Sequence, residues 1–501
     1  FLDSSPFLCH RPTSSCSGVS LPVTGARPDA GVFCISQIVK TGFPCYTENR
    51  QEFLLIQNTE EIDMYRETSK EVLDFIQKSP SCFHAVREIG ARLKAAGYQE
   101  LKECGSWNLE KGGSYFTTRN GSSLIAFHIG ETLDDYHFQV TSSHSDSPTF
   151  KVKERAELKG KGGYLQLNTE GYGGMLCATW MDRPLSLAGR VLVREGNAIS
   201  TRLVAFDRDL VLIPNVAIHM NREVNNGMKY NNQVDLLPLF SAGECGENSY
   251  YDLIAGELGV SREDILGMDM YLYNRTAPSI WGMKEEFISS PKLDDLQCAY
   301  TSLKAMLQAK NDHCVTVYSC FDNEEVGSGT KQGACSTFLR DVLQRINGCL
   351  GFGGEDYCRA VAKSFMVSCD NAHAVHPNHP EKTDAENCTY MNKGVVVKFS
   401  ANQKYTTDGI SSAVFAGICQ KAGVPIQFFA NRSDSVGGST LGNLSSQKVS
   451  MHTVDIGLPQ LSMHSSYETA GIKDSQYMVD ALTAFYNTNL VITDSDRFEL
   501  A

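Results

Sequence analysis

The sequence contains no Cys-X-X-Cys pair, although it holds 17 cysteines, an odd number scattered singly. That excludes zinc ribbons built on paired thiolates and argues against a disulfide framework. The expectation is reduced thiols in a cytoplasmic setting. No apolar run approaches the roughly 18 residues that a membrane span requires. Nor does a basic stretch followed by an apolar run open the chain, which starts at Phe1. Positive charge is in deficit as well: 45 Lys and Arg against 58 Asp and Glu leave a net charge of −13. Nucleic acid and anionic membranes are therefore poor partners. An acidic ligand would have to be held by a local cation, against the average field.

What is present reads as globular. At 501 residues the chain exceeds one ordinary core, so more than one domain is expected. Residues 1–60 are rich in Ser, Pro, Cys and Gly without periodicity, and read as a weakly ordered extension. Helical spacing begins near Glu60 and runs through "YRETSKEVLDFIQKSP", then recurs in "CFHAVREIGARLKAAGY". Between residues 150 and 285, short alternating strands punctuated by glycine, such as "LAGRVLVRE", suggest a β-rich insert. After residue 290 strand and helix patterns alternate, which predicts an α/β sandwich on a largely parallel sheet.

Polar residues gather where such sheets bind ligands, beyond the carboxyl ends of strands. "TSSHSDSP" places His144 and Asp146 after a strand, and "FDNEEVGS" places Glu324 and Glu325 after another. "SFMVSCDNAHAVHPN" ends a strand at Asp370, and "LSMHSSYE" offers His464. "SSPKLDDLQCAY" sets Asp294 and Asp295 at a helix start. Taken singly, each has a bland explanation. Asp294 or Asp295 could cap its helix, His144 could be a hydrogen-bonded histidine, and the glutamate pair could be a solvated edge. His373, His376 and His379 have metal-like spacing, yet fit a loop held by its own hydrogen bonds.

Together they read differently. Two histidines, several carboxylates and no thiolate suit zinc, manganese or cobalt. Two-metal hydrolases share a bridging carboxylate and need one further carboxylate, off the metals, to take a proton from the attacking water. Adjacent glutamates can supply both roles, the first as base and the second as ligand.

The segments "HSDSPTFKVK", "YGGMLCATWMDRPLSLAGRVLVR", "IPNVAIHMNR", "KLDDL", "DNEEVGS", "DNAHAVHPNHPEK", "NKGVVVK" and "QLSMHSSYE" resemble, in order, the motifs of the aspartyl aminopeptidases. These are dinuclear metallo-exopeptidases that remove N-terminal Asp or Glu. The resemblance covers roughly residues 60–490. It implies a three-layer α/β/α metallopeptidase domain with a mixed, mostly parallel sheet, over residues 61–149 and 286–501. The stretch 150–285 would be an inserted β-rich dimerisation domain. It further implies two divalent ions, zinc foremost, with His144, Asp294 and Asp370 on one and Asp294, Glu325 and His464 on the other. Glu324 falls on the general base acting on a metal-bridged water, and Asp146 on the carboxylate that orients His144. His219 matches a histidine lent to a neighbouring subunit, in a family that assembles as a tetrahedral dodecamer. Lys398 and Tyr405 fall on the pocket for the acidic side chain of the peptide substrate. Gly173 and Gly174 read as turn glycines.

Three departures stand out. Asp295 replaces an asparagine, Tyr467 an arginine, and "WMDR" a "WFDR". None falls on a ligand. The alternatives to this reading are a dinuclear exopeptidase for neutral or blocked N-termini, and a catalytically silent assembly.

Overall fold

The computed structural model describes the backbone of residues 48–501, with side chains from Ile62 onward. Two units emerge, Phe1–Ile56 and Gln57–Ala501, and only a helical stretch of the first is described. The helix Glu48–Gln77 starts ahead of the position near Glu60 read from periodicity. Residues 1–47 of the expected extension lie outside the described residues.

The second unit is organised on a nine-stranded sheet. Its centre is four parallel strands in the order Val315–Phe321, Phe138–His144, Phe365–Cys369, His452–Gly457. Antiparallel neighbours flank both sides, Ser123–Ile129 on Val315–Phe321 and Val395–Phe399 on His452–Gly457. Five of the eight pairings in the sheet are parallel, so it is mixed and mostly parallel.

The apolar runs expected for doubly covered strands feed both faces. In Val315–Phe321, Val315, Val317 and Phe321 enter one core while Tyr318 and Cys320 enter the other, as the two-residue repeat of a strand demands. Helices Leu293–Gln308, Gly409–Ala422 and Asp474–Asn487 contribute to the core of Tyr318 and Cys320, through Leu296, Phe415 and Phe485. Helix Phe338–Cys349 contributes Val342 and Ile346 to the core of Val315, Val317 and Phe321. The result is a three-layer α/β/α sandwich.

A separate six-stranded sheet, wholly antiparallel, is drawn from Thr149–Lys159 through Ile265–Asn274 and has its own core around Phe150, Leu187, Val191 and Met270. A third sheet, not anticipated from sequence, pairs Phe287–Ser290 with Glu468–Gly471 and the latter with Pro459–Leu461. It carries the chain between residues 461 and 468 back to the start of helix Leu293–Gln308.

Candidate metal centre

Three adjacent parallel strands end at one edge of the sheet. Phe321 is in register with His144, so Glu324 and Glu325 follow on one side of the histidine. Asp370, next after Phe365–Cys369, lies on its other side. Asp294 comes from the first turn of helix Leu293–Gln308, where its own φ/ψ of −82°/110° is not helical and its peptide to Asp295 is cis. No side chain caps that helix, so Asp294 is turned inward rather than spent on the helix end. His464 stands between Pro459–Leu461 and Glu468–Gly471, in the left-handed backbone region at φ 66°.

Asp294 faces both ways. Its Oδ1 lies 3.4 Å from His144 Nε2, and its Oδ2 lies 3.4 Å from His464 Nε2. His144 Nε2 is also 3.8 Å from Asp370 Oδ1, and His464 Nε2 is 3.3 Å from Glu325 Oε2. Two donor sets therefore share Asp294: His144, Asp294, Asp295 and Asp370 in one, and Asp294, Glu325 and His464 in the other, each with donor atoms within 4.8 Å of one another. Asp294 Oδ1, Asp295 Oδ1 and Glu325 Oε1 are buried with no hydrogen-bond partner. A buried carboxylate without compensation is costly. This donor set, all oxygen and imidazole nitrogen, fits divalent cations of the zinc type. His373, His376 and His379 form no such set among the described residues.

Asp146 ties the cluster together. Its carboxylate accepts the backbone amides of Glu324 at 3.1 Å and Glu325 at 3.2 Å, and the Tyr172 hydroxyl at 2.7 Å. Its Oδ1 lies 3.4 Å from His144 Nδ1, which is also 3.0 Å from the Asp146 carbonyl. A histidine with Nδ1 anchored this way presents Nε2 to the cavity in a fixed orientation. Glu324, beside these groups, has its carboxyl pushed up to about 8, chiefly by removal from solvent; divalent cations held by the neighbouring donors would favour its ionised form, the one a base requires. Asp295 accepts the His144 amide at 3.0 Å, and burial raises its carboxyl well above the usual range.

Sequence reasoning missed two members of the framework. Tyr172, from the six-stranded sheet, holds Asp146 across the boundary with the α/β part. Glu468 is 2% exposed and accepts the amides of Asp294 at 3.0 Å and His464 at 2.7 Å. Its signal was available: a glutamate opening the otherwise uncharged strand "ETAG".

Lys398, Tyr405, Asp370, Glu324 and His464 line one cavity of about 280 Å³. Lys398 is 2% exposed, donates to the Asn371 carbonyl at 2.9 Å, and lies 3.7 Å from Asp370 Oδ2 and 5.4 Å from the Tyr405 ring centre. Burial pulls its pKa down, but the Asp370 carboxylate foremost outweighs that and holds it charged, above its ordinary value. His219 does not join the cluster; it is exposed, in the irregular segment beyond Ile213.

The profile of the aminopeptidase I zinc metalloprotease family, M18, matches residues 75–486. A probable M18 family aminopeptidase 2 of Clostridium acetobutylicum is 47% identical over 429 residues, covering 84% of this chain and 99% of that protein. Among solved structures, the complex of Ape4 and Nbr1 superposes with a TM-score of 0.81 at 36% identity, covering 84% of this chain and 86% of that one. The mApe1 dodecamer of S. cerevisiae superposes at 0.74 with 26% identity, covering 84% and 97% respectively.

Proposed function

This chain belongs to the M18 family of zinc metalloaminopeptidases, and from that premise we propose that it removes Asp or Glu from the N-termini of peptides. The observation that carries the proposal is a charged, buried Lys398 beside Tyr405 in the same cavity as Asp294, Glu324 and His464. A compact ammonium with a phenol hydroxyl suits a carboxylate side chain held next to the scissile bond.

His144, Asp294 and Asp370 would hold one divalent ion, and Asp294, Glu325 and His464 a second. Bound there, such ions polarise a peptide carbonyl and acidify water. In the proposed cycle Glu324 takes a proton from the water whose oxygen attacks the first peptide carbonyl. The tetrahedral adduct then breaks at its C–N bond, and Glu324 returns the proton to the leaving amine. The products are a free amino acid and a peptide shorter by one residue. Asp146 keeps Glu324 and His144 in place throughout.

We assign the insert at residues 150–285, which carries the six-stranded sheet, to dimerisation, and His219 to a neighbouring subunit's cavity, where its imidazole would donate to the developing oxyanion. The exposure of His219 and the dodecameric state of the mApe1 relative support this. A tetrahedral dodecamer is the proposed assembly.

One observation favours a second reading. Lys398 already contacts Asp370 and the Asn371 carbonyl, so it could serve only to support the ligand strand, leaving specificity to neutral residues. Hydrolysis of Asp-, Glu-, Ala-, Leu- and Lys-amides decides, using protein stripped by a chelator and resupplied with zinc, manganese or cobalt. Metal-dependent release of Asp and Glu upholds the proposal; release of Ala and Leu instead upholds the second reading.

A further inference from the structure

We propose that a cleft running from the metal cavity past His373 to Lys382 receives the leaving side of the peptide and selects a carboxylate there. The inference rests on the aminopeptidase reading and extends it to the residues beyond the scissile bond.

A second cavity, of about 450 Å³, adjoins the metal cavity and shares His373, Phe429, Gly438 and Met463 with it. A peptide whose first residue lies by Lys398, with its first amide bond near Glu324, must continue outward, and this shared wall is an open continuation. The cavity lined by Cys82, Tyr172 and Lys292 shares only Asp294 with the metal cavity. It offers no comparable passage.

The charge of the cleft departs from that of the protein. In a chain of net charge −13, no Asp or Glu lines it, while Lys382, Arg432 and three histidines do. Two of those groups are offset from behind. Arg432 makes a two-pronged contact with Asp434 at 2.9 and 2.8 Å, and His379 lies 3.1 Å from Glu381. Lys382 is different. It is exposed on the turn Pro380–Lys382 and forms no direct ion pair among the described residues, although the charges of Glu381 and Asp434 are felt there. Phe429, Leu461 and Met463 give the cleft apolar walls. Apolar walls with one exposed ammonium free of a direct ion pair suit a Glu or Asp side chain, or the terminal carboxylate of a short peptide.

The test holds the N-terminal Asp fixed and varies the second residue and the C-terminus of the peptide. Asp-Xaa-Ala-amides with Xaa as Glu, Gln or Lys are compared with Asp-Gln-Ala bearing a free carboxylate. Ratios of kcat/KM are read for the wild-type oligomer, Lys382→Gln and Lys382→Glu. Wild type should favour Glu over Lys by about fivefold, the scale of an exposed ion pair. Lys382→Gln should bring the ratio near 1, and Lys382→Glu should invert it. A gain confined to the free-acid peptide, lost in both variants, assigns the site to the chain terminus instead of a side chain. Ratios that stay within about twofold of wild type in both variants overturn the proposal; a general loss of folding slows all peptides together and cannot mimic the expected change. If the enzyme instead prefers Leu at the first position, the acidic N-terminal reading fails, and the same series rebuilt on Leu still decides the cleft. No hydrolysis of any peptide overturns both.

Discussion

The carboxylate of Asp146 accepts the backbone amide of Glu324 at 3.1 Å, although 178 residues separate the two in sequence. The same group lies against His144 Nδ1, so one side chain aims both a candidate ligand and the candidate base. Asp146→Asn keeps the volume but weakens the acceptor for two amides, a hydroxyl and an imidazole N–H. We expect kcat to fall by about 10- to 100-fold, as loss of such an outer partner does. Steady-state kinetics with metal analysis on the same samples checks this; an unchanged kcat would contradict it.

Glu324→Gln and Glu325→Gln should separate. The first removes the proton acceptor and should lower kcat by at least about 100-fold with metal content intact. The second removes a donor from the set containing Asp294 and His464 and should lower bound metal by one equivalent. Atomic absorption beside the kinetics distinguishes them. Equal metal loss in both would make Glu324 a ligand instead.

Glu468→Ala leaves the buried amide of Asp294 and the half-buried amide of His464 without their shared acceptor. Each orphaned amide costs about 1–3 kcal/mol. His464, already at positive φ, loses the contact that holds it there. A lower denaturation midpoint and weaker metal retention should appear together, while Glu468→Gln, which keeps an acceptor, should lose less of both.

Acid should destabilise the fold through His84. This histidine is 2% exposed with Nδ1 2.8 Å from Ser81 Oγ, and burial, then Arg87 and Lys292, lower its pKa to about 3. The unfolded chain takes up its proton near pH 6.5, the folded chain only near 3. Stability from this group is therefore full above pH 6.5 and falls as pH drops toward 3, by up to about 1.4 kcal/mol per pH unit. Urea unfolding of chelator-treated protein at pH 7 and pH 5 should show a smaller loss for His84→Gln than for wild type. Parallel losses would remove His84 from the account.

The α/β sandwich and the strand ends that carry His144, Glu324, Glu325 and Asp370 were legible because a doubly covered strand must be apolar throughout, so a charge just past it is conspicuous. Asp294 was ambiguous for a physical reason: an aspartate in a first turn caps helices more often than it faces a cavity, and only its non-helical φ/ψ removes the ambiguity. The third sheet was not legible, since its strands are two to four residues long and pair across intervals such as Phe287 to Gly471. Tyr172 and Glu468 escaped although Glu468 left a local trace, the lone charge that opens its strand. Each acts through a contact with a distant segment that local pattern does not encode.

The most direct test of the acidic pocket compares kcat/KM for Asp-amide with that for Asn-amide, which has the same shape without the charge. A carboxylate held by Lys398 and Tyr405 predicts at least about a tenfold preference for Asp, the lower end of what a charged hydrogen bond contributes, and its loss in Lys398→Met. A ratio near 1 in the wild-type enzyme would contradict the account, leaving a metalloaminopeptidase with no acidic pocket at Lys398.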